Sequence, residues 1–279
     1  MSIAKGLTNK MHNKKYLMES PKETIRLRAK VDPDLFVSTY LKKYLDALLL
    51  KNKKKVIRIL DLGCGSGVIS SSIAQMYPKL IVYGADLNSK RYEEEARSGI
   101  KNLFFIQANA YKLPFKSNSF DLIFTRFMLE YMKRPVDVVG EMRRLAKIGA
   151  RVIVQDLDGQ LVSNYPVSRS FDECCNKVVA QLAFSGFDPY IGRKLYSFFK
   201  LNGLKQLGVI IEPYHLYAGR IDPVNYKLWK TKLEIAFPHI KKALGSDVRA
   251  RGFVKTYMRY LQSNETFSFS TIFTVTGIK

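Results

Sequence analysis

The feature that most constrains the fold is a β-rich run that ends in a glycine-rich turn. Val56-Ile57-Arg58-Ile59-Leu60 leads directly into Asp61-Leu62-Gly63-Cys64-Gly65-Ser66-Gly67, and residues 68–77 then have a helical pattern that stops at Pro78. Glycine lets the backbone turn sharply and approach a ligand closely. A helix that starts directly after such a turn presents unpaired N–H groups to a ligand. The junction therefore predicts an open α/β sheet with a ligand site at the carboxyl end of this strand.

Strands and helices alternate beyond this junction. Further strands are predicted over residues 80–85, 103–107, 120–125 and 151–155, with helices over 89–97 and 135–146. Strands separated by helix-length segments indicate βαβ units and a parallel sheet buried on both faces. After Asp158 the pattern changes to helices over 160–202, a strand region over 204–217, helices over 222–261 and a last strand over 266–276.

The chain of 279 residues, 47% of them hydrophobic, is long enough for one large core with an insertion. We predict a flexible tail over residues 1–20 and an N-terminal helical cap over 21–52. The cap begins with Ser20-Pro21-Lys22-Glu23, which is typical of a capping box, and continues with a second helix at Asp32-Pro33. A ligand-binding core over 53–158 follows, and residues 159–279 supply a helical lid and the last strands of the sheet.

The cysteines and histidines indicate which cellular compartment the protein occupies and whether a metal site is expected. The 3 cysteines, Cys64, Cys174 and Cys175, are too few and too oddly placed for a disulfide framework, which indicates a reducing cytoplasm. We see neither a secretory leader nor an apolar run long enough to span a membrane. The 3 histidines lack paired metal-ligand spacing, so no metal site is predicted.

Charge is the unusual feature of the composition. Lys and Arg total 46 against 24 acidic residues, a net charge of +22. Such an excess attracts polyanions or anionic substrates, but it also arises from a lysine-rich solvated surface. Because the basic residues are spread along the chain without an arginine-rich tract, the solvated surface is favoured.

The spacing of the glycines distinguishes between cofactors. A dinucleotide-binding fingerprint would place its third glycine at position 68, which is Val68. The third glycine is instead Gly67, and Asp61 stands two residues before Gly63. This pattern resembles motif I of class I S-adenosylmethionine-dependent methyltransferases. The resemblance implies a Rossmann-like, mostly parallel seven-stranded sheet with helices on both faces, S-adenosyl-L-methionine as cofactor, and cofactor contacts at Asp61, Gly63, Cys64, Gly65 and Gly67.

Other residues match the family in the expected order. Asp86 ends the second predicted strand, where the resemblance implies a carboxylate that accepts the ribose hydroxyls. Asn109-Ala110 follows the third strand, where the family usually has an aspartate that accepts the adenine amino group. Asparagine departs from that pattern but keeps a carbonyl acceptor. Leu87 and Tyr111 are predicted to flank the adenine.

A narrower resemblance extends over residues 16–158. Residues 113–115 and 119–130, together with Gln155-Asp156, are similar to the methyltransferases of ubiquinone and menaquinone biosynthesis. Tyr16-Leu17-Met18 and Glu23-x-x-Arg26-Leu27 resemble the leader of a bacterial and fungal small-molecule subgroup. The resemblance implies four more cofactor contacts, at Arg126, Phe127, Tyr16 and Arg26, with Arg26 matched to a carboxylate.

The predicted activity is methyl transfer to a small organic acceptor by in-line displacement, for which positioning can supply most of the rate. The sequence identifies no catalytic residue. His215 and Tyr131 are candidates near the pocket mouth, as is Tyr165, although a lone histidine more often has a structural role. Eight aromatic residues are expected to supply walls of an acceptor pocket: Tyr165, Phe171, Phe184, Phe187, Tyr190, Tyr196, Phe198 and Phe199.

Two alternatives to this activity remain. The chain has Thr125-Arg126-Phe127-Met128 where amino-methylating DNA enzymes have a Pro-Pro-aromatic tetrapeptide, and it has no cysteine placed for cytosine methylation. The charge nevertheless motivates RNA or another polyanion as the acceptor, with a track of basic residues in the last third of the chain, such as Lys232, Lys241 and Arg251. A cofactor-binding protein without catalysis is the other alternative.

Overall fold

The computed structural model describes residues 20–51 and 56–279, and its centre is one seven-stranded sheet. The strands are β1 (Ile57–Leu62), β2 (Leu80–Asp86), β3 (Leu103–Gln107), β4 (Phe120–Arg126), β5 (Ala146–Tyr165), β6 (Lys205–Ala218) and β7 (Phe267–Ile278). Their order in the sheet is β3-β2-β1-β4-β5-β7-β6. The first five strands pair in parallel, and β7 is antiparallel to both β5 and β6. This confirms the predicted mostly parallel seven-stranded sheet.

The helices lie on both faces of the sheet and beyond its carboxyl edge. They are α1 (Pro21–Lys30), α2 (Pro33–Phe36), α3 (Lys42–Lys51), α4 (Val68–Met76), α5 (Glu93–Ala96), α6 (Pro135–Leu145), α7 (Arg169–Phe184), α8 (Leu195–Leu201), α9 (Pro223–Leu244) and α10 (Asp247–Tyr260). A π-helical turn, Val37–Leu41, joins α2 to α3, and short 3-10 turns lie at Ser89–Arg91, Leu129–Tyr131 and Gly192–Lys194.

Alternate residues of the strands enter two cores, one on each face of the sheet. Ile59 packs with residues of α2, α3 and α4, whereas its neighbour Leu60 packs with residues of α6 and α8. Both side chains are fully buried. This follows from the two-residue period of a strand, since a parallel sheet covered on both faces has apolar residues at successive positions.

A third core holds α7, α9 and α10 together as a separate helical layer. Trp229, Leu233 and Tyr257 are among its buried members. α9 also packs against α1, so the N-terminal helix is attached to this layer. No helix within residues 20–51 and 56–279 is long and apolar enough to cross a bilayer.

Two elements differ from the prediction. β5 runs to Tyr165, where a strand over 151–155 and then helix were expected, because its outer part pairs with β7 through Tyr165 and Phe267. The predicted division at residue 158 therefore falls within a strand. The helix expected over 89–97 is only a 3-10 turn and the four-residue α5, whose Glu93, Glu94 and Glu95 offer no apolar face.

The start of the helical cap agrees only in part with the capping box. The Ser20 hydroxyl accepts a hydrogen bond from the Lys22 amide, as an N-cap should. The Glu23 side chain does not return to Ser20, because it is paired with Arg26 instead. The tail over residues 1–19 lies outside the described residues.

Candidate functional site

The glycine-rich turn joins β1 to α4 at the carboxyl edge of the sheet. The amides of Gly63 and Cys64 both donate to the Ala85 carbonyl, at 2.7 and 3.1 Å, which ties the turn to the end of β2. Gly63, Gly65 and Gly67 have φ values of 72°, 55° and 79°, in the left-handed region that favours glycine. The three glycines are therefore required by the backbone itself.

Gly65 differs from the other two glycines in what surrounds it. A Cβ at Gly63 would lie 2.3 Å from the Met128 sulfur, and one at Gly67 would lie 2.7 Å from the Phe105 ring. Among the described residues, a Cβ at Gly65 would meet no atom within 4 Å. Gly63 and Gly67 thus pack against the protein, whereas Gly65 faces open space in which a ligand can approach the backbone.

Asp86, the last residue of β2, lies directly beside this open glycine. Its Oδ2 accepts a hydrogen bond from the Gly65 amide at 3.0 Å, and its Oδ1 accepts one from the Asn88 amide at 3.0 Å. The residue is 8% exposed, so its carboxylate is fixed in place. An ionised carboxylate is an acceptor-only group with about four lone-pair sites, which is the chemistry that ligand hydroxyls require.

The residues predicted around the adenine surround the same edge. Leu87 follows Asp86 and is 63% exposed, an unusual state for a large apolar side chain at a sheet edge. Asn109 accepts the Tyr111 amide on its side-chain oxygen at 3.0 Å, so it shapes its own turn while keeping a second lone pair. Ala110 lies in the same turn and is partly buried. Their roles toward a ligand stay predictions.

Two side chains of the glycine motif have raised pKa values. Burial raises the pKa of the Asp61 carboxyl to about 7, although the Ser70 hydroxyl donates to it at 2.7 Å. Burial, followed by the charges of Asp61 and Asp86, raises the pKa of the Cys64 thiol well above its usual value. Cys64 therefore remains a thiol at neutral pH, and what it offers a ligand is its backbone rather than a nucleophile.

Arg126 and Phe127, at the end of β4, lie on the other side of the turn. The Arg126 Nε donates to Gln155 Oε1 at 2.9 Å, and its guanidinium lies 4.1 Å from the centroid of the Phe127 ring. Phe127 has a φ of 52°, an uncommon conformation for a bulky residue. Its ring packs 5.5 Å from that of Tyr214 on β6. Strained backbone of this kind concentrates at functional sites.

The loop after β4 is held by a buried carboxylate. The Asp156 side chain accepts the amides of Leu129 and Glu130 at 2.8 and 3.3 Å and that of Leu157 at 3.0 Å. Burial raises the pKa of Asp156 well above its usual value. Asp156 thereby fixes the turn that carries Tyr131.

The candidate bases lie near this loop but differ in their surroundings. His215 has a φ of 48° in β6, and its Nδ1 lies 3.2 Å from the Ser270 hydroxyl. Burial lowers the pKa of His215 well below its usual value, as do the charges of Lys30, Lys232 and Arg26, so its imidazole is neutral at pH 7. Tyr131 packs 5.4 Å from the Phe187 ring.

Several sequence predictions about pocket residues are wrong. Tyr165 is 74% exposed at the end of β5, and its described contact is a carbonyl that accepts the Tyr260 hydroxyl. Of the eight aromatic residues expected to form walls of an acceptor pocket, Phe187 lines a cavity. Phe184 is 76% exposed, and Phe199 is buried in the core that also contains Leu60. Helical spacing alone does not separate core aromatics from pocket aromatics.

Of the two N-terminal residues predicted to contact the cofactor, Arg26 lies within the described residues and Tyr16 lies outside them, and the contact predicted for Arg26 stays a prediction. Arg26 is 7% exposed and forms a two-bond ion pair with Glu23, at 2.7 Å for each bond. It also lines a cavity together with Lys30 and Lys232, which the sequence reasoning missed. The spacing of four residues between Arg26 and Lys30, on one face of α1, is the signal that was available.

The chain is similar to known methyltransferases. The family model described as "Methyltransferase domain" matches residues 53–203. The chain is 31% identical over 168 residues to an uncharacterized methyltransferase of Schizosaccharomyces pombe, and this alignment covers 57% of each protein. It is 32% identical over 116 residues to the demethylmenaquinone methyltransferase of Thermotoga maritima, covering 42% of this chain and 49% of that protein. The chain thus spans about half the length of these curated relatives.

A solved structure has the same fold. The phosphoethanolamine N-methyltransferase 2 of Haemonchus contortus, in complex with phosphomonomethylethanolamine and S-adenosylhomocysteine, superposes with a TM-score of 0.50 and 18% identity. The superposition covers 85% of this chain and 52% of that chain. At this level of identity the likeness concerns the fold alone.

Proposed function

The chain belongs to the methyltransferase-domain family, and on that premise we propose that it transfers a methyl group from S-adenosylmethionine to a small organic acceptor. The observation that carries the proposal is the open space at Gly65 next to the buried carboxylate of Asp86. A glycine that approaches a ligand, beside an acid that accepts ribose hydroxyls, is what a nucleoside-bearing cofactor requires. Val68 in place of a third fingerprint glycine argues against a dinucleotide.

The charges around the turn fit this cofactor. Asp61 and Asp86 are both buried at the carboxyl edge, and they complement a ligand that carries positive charge and hydroxyl groups. Leu87 offers an exposed apolar surface next to Asp86, which suits a flat base. We assign the cofactor to Asp61, Gly63, Cys64, Gly65, Gly67, Asp86, Leu87, Asn109, Ala110, Arg126 and Phe127.

The reaction requires few catalytic groups from the protein, because the sulfonium of the cofactor already activates the methyl group. The chain's part is to hold the acceptor in line and to exclude water. Phe127 and Tyr214 form an apolar wall at the end of β4, and Gln155 fixes Arg126 behind it. Where the acceptor must lose a proton, His215 and Tyr131 stay the candidate bases, although the burial and nearby basic groups that lower the pKa of His215 weaken it as a proton acceptor.

RNA or another polyanion is the alternative acceptor. Lys232 lines a cavity instead of the surface track expected for it. Lys241 and Arg251 both form ion pairs with Asp247, at 3.5 and 2.5 Å, but both side chains are exposed, as is that of Lys227. The basic surface is therefore compatible with this alternative, and the labelling measurement below decides between the two acceptors.

Two measurements test the proposal. Calorimetry should show binding of S-adenosylmethionine and S-adenosylhomocysteine but not of NAD, and a Gly65→Val variant should bind neither. In the second measurement, the protein is incubated with methyl-labelled S-adenosylmethionine together with either a small-metabolite fraction or total RNA. We expect label in the small molecules and none in RNA. A chain that binds NAD and ignores S-adenosylhomocysteine, or that labels RNA, contradicts the proposal.

A further inference from the structure

Two cavities meet beneath α9, and they differ in character. One is lined by Arg26, Lys30 and Lys232 together with His215. The other is lined mainly by Val178, Leu182, Phe187, Leu233, Ala236 and Ile240. Trp229 and Lys232 line both. A cationic pocket and an apolar chamber thus share one wall.

The cationic pocket brings together three basic side chains, of which Arg26 is buried and Lys30 and Lys232 are partly buried. Burial lowers the pKa of Lys30 and of Lys232 well below the usual value for lysine, and the charge of Arg26 lowers both further. Lys232 Nζ lies 5.2 Å from the centroid of the Trp229 ring. An anion bound between these three groups would offset that effect and stabilise the protonated lysines.

The acidic groups nearby offset only part of this charge. Glu23 is committed to Arg26 in the two-bond ion pair. Glu130 is 3% exposed, and its Oε2 has no hydrogen-bond partner within the described part of the chain. Burial raises the pKa of Glu130, against the attraction of Lys232 and Lys30. Within the described residues, the three basic side chains of the pocket therefore outnumber the two carboxylates, Glu23 and Glu130, that interact with them, and a bound anion would complement them.

The cavities lie next to the wall proposed to position the acceptor. Lys30 Nζ lies 4.6 Å from the Tyr214 ring centroid and 5.5 Å from that of Phe127. Tyr131, on the turn after β4, lines the apolar chamber. Lining residues of both cavities therefore lie near the end of β4, where the methyl group would be delivered.

We propose that the acceptor is a small anionic amphiphile. Its carboxylate or phosphate lies between Arg26, Lys30 and Lys232, and its apolar body occupies the chamber under α7 and α9. This inference rests on the proposed methyl transfer and names the acceptor class of that same site.

Trp229 serves as an intrinsic fluorescent probe, because it is the single tryptophan of the chain and lines both cavities. Its fluorescence is followed while octanoate, octyl phosphate or octan-1-ol is added in the presence of saturating S-adenosylhomocysteine. We expect saturable binding of one or both anions at least about tenfold tighter than binding of the alcohol. The tighter of the two anions assigns the head group as carboxylate or phosphate.

A pair of lysine variants on α9 tests the residue assignment. Lys232→Met should reduce octanoate or octyl phosphate binding about tenfold and leave octan-1-ol binding unchanged. Lys227→Met, at an exposed position of the same helix, should change neither. Because the comparison of anion with alcohol uses the unaltered protein, it stays decisive if Lys232→Met does not fold.

Three results would overturn the inference. They are equal binding of the alcohol and the anions, no effect of Lys232→Met, and competitive displacement of the anions by S-adenosylhomocysteine, which would assign the cations to the cofactor. Calorimetry of S-adenosylhomocysteine alone is a separate readout, so a failure of the cofactor proposal is distinguishable from a failure of this one.

Discussion

Replacing Gly65 with alanine separates ligand binding from folding at this site. The added methyl group meets no atom of residues 20–51 and 56–279 within 4 Å, so its structural cost there comes from the backbone φ of 55°. A non-glycine residue in the left-handed region costs about 1–2 kcal/mol. For a domain of this size, that lowers the midpoint of thermal unfolding by roughly 2–8 °C.

The same methyl group occupies the space that the cofactor would need. Forcing extra volume into a filled site costs about 1–3 kcal/mol, which corresponds to a loss of affinity of roughly five- to 150-fold. Calorimetric titration with S-adenosylhomocysteine measures this loss directly. The expected result is a folded protein with slightly lower stability and much weaker cofactor binding.

Gly99 provides the matched control. It has a φ of 73°, nothing within 4 Å of its Cβ position, and an exposed place in the loop before β3, at the opposite edge of the sheet. Gly99→Ala should lose the same stability and keep full affinity. If Gly65→Ala binds S-adenosylhomocysteine as tightly as Gly99→Ala does, the glycine turn is not the cofactor site and the reasoning is refuted.

Three further predictions concern the acids of the site and the surface charge. Asp86→Ala should weaken S-adenosylhomocysteine binding by about 1–3 kcal/mol in calorimetry, since buried hydroxyls lose a charged acceptor; unchanged affinity removes Asp86 from the site. The pKa of Asp61 rises from 3.8 to about 7 on folding, so the folded state binds the proton more tightly. Its contribution to stability therefore falls as the pH rises from about 4 to 7, by up to about 4 kcal/mol. Urea unfolding should show this fall in the native protein and not in Asp61→Asn, and parallel pH profiles contradict it. RNA binding should be weak and lost by about 0.2 M salt in a filter assay, whereas salt-resistant binding favours the polyanion alternative.

The sequence allowed the sheet and the cofactor turn to be predicted because both depend on local constraints. The strands of the core are apolar runs that only a sheet covered on both faces can bury, as Ile59 and Leu60 show. The glycine spacing predicts a turn because few residues tolerate a φ of 72° or 79°. These requirements are carried by neighbouring residues, so they are visible without knowledge of distant contacts.

The outer half of β5 and the acceptor cavities could not be predicted in the same way. Residues 159–165 become a strand because β7, more than a hundred residues later, pairs with them. Lys232 is one basic residue among many in the sequence, and only the packing of α9 against α1 and α7 turns it toward Arg26 and Lys30. Such tertiary placement overrides the local pattern, which for Lys232 favoured the surface.

The distribution of charge along the carboxyl edge links the two proposals. Asp61 and Asp86 lie at the glycine turn, whereas the cationic pocket lies beyond Phe127 and Tyr214. A cofactor whose reactive group is a sulfonium cation is attracted to the acidic end and repelled from the basic end. An anionic acceptor has the opposite preference, so each molecule is disfavoured in the other's place. If both proposals hold, the opposed charges would direct the cofactor toward Asp86 and the acceptor toward Lys30, on the two sides of the end of β4.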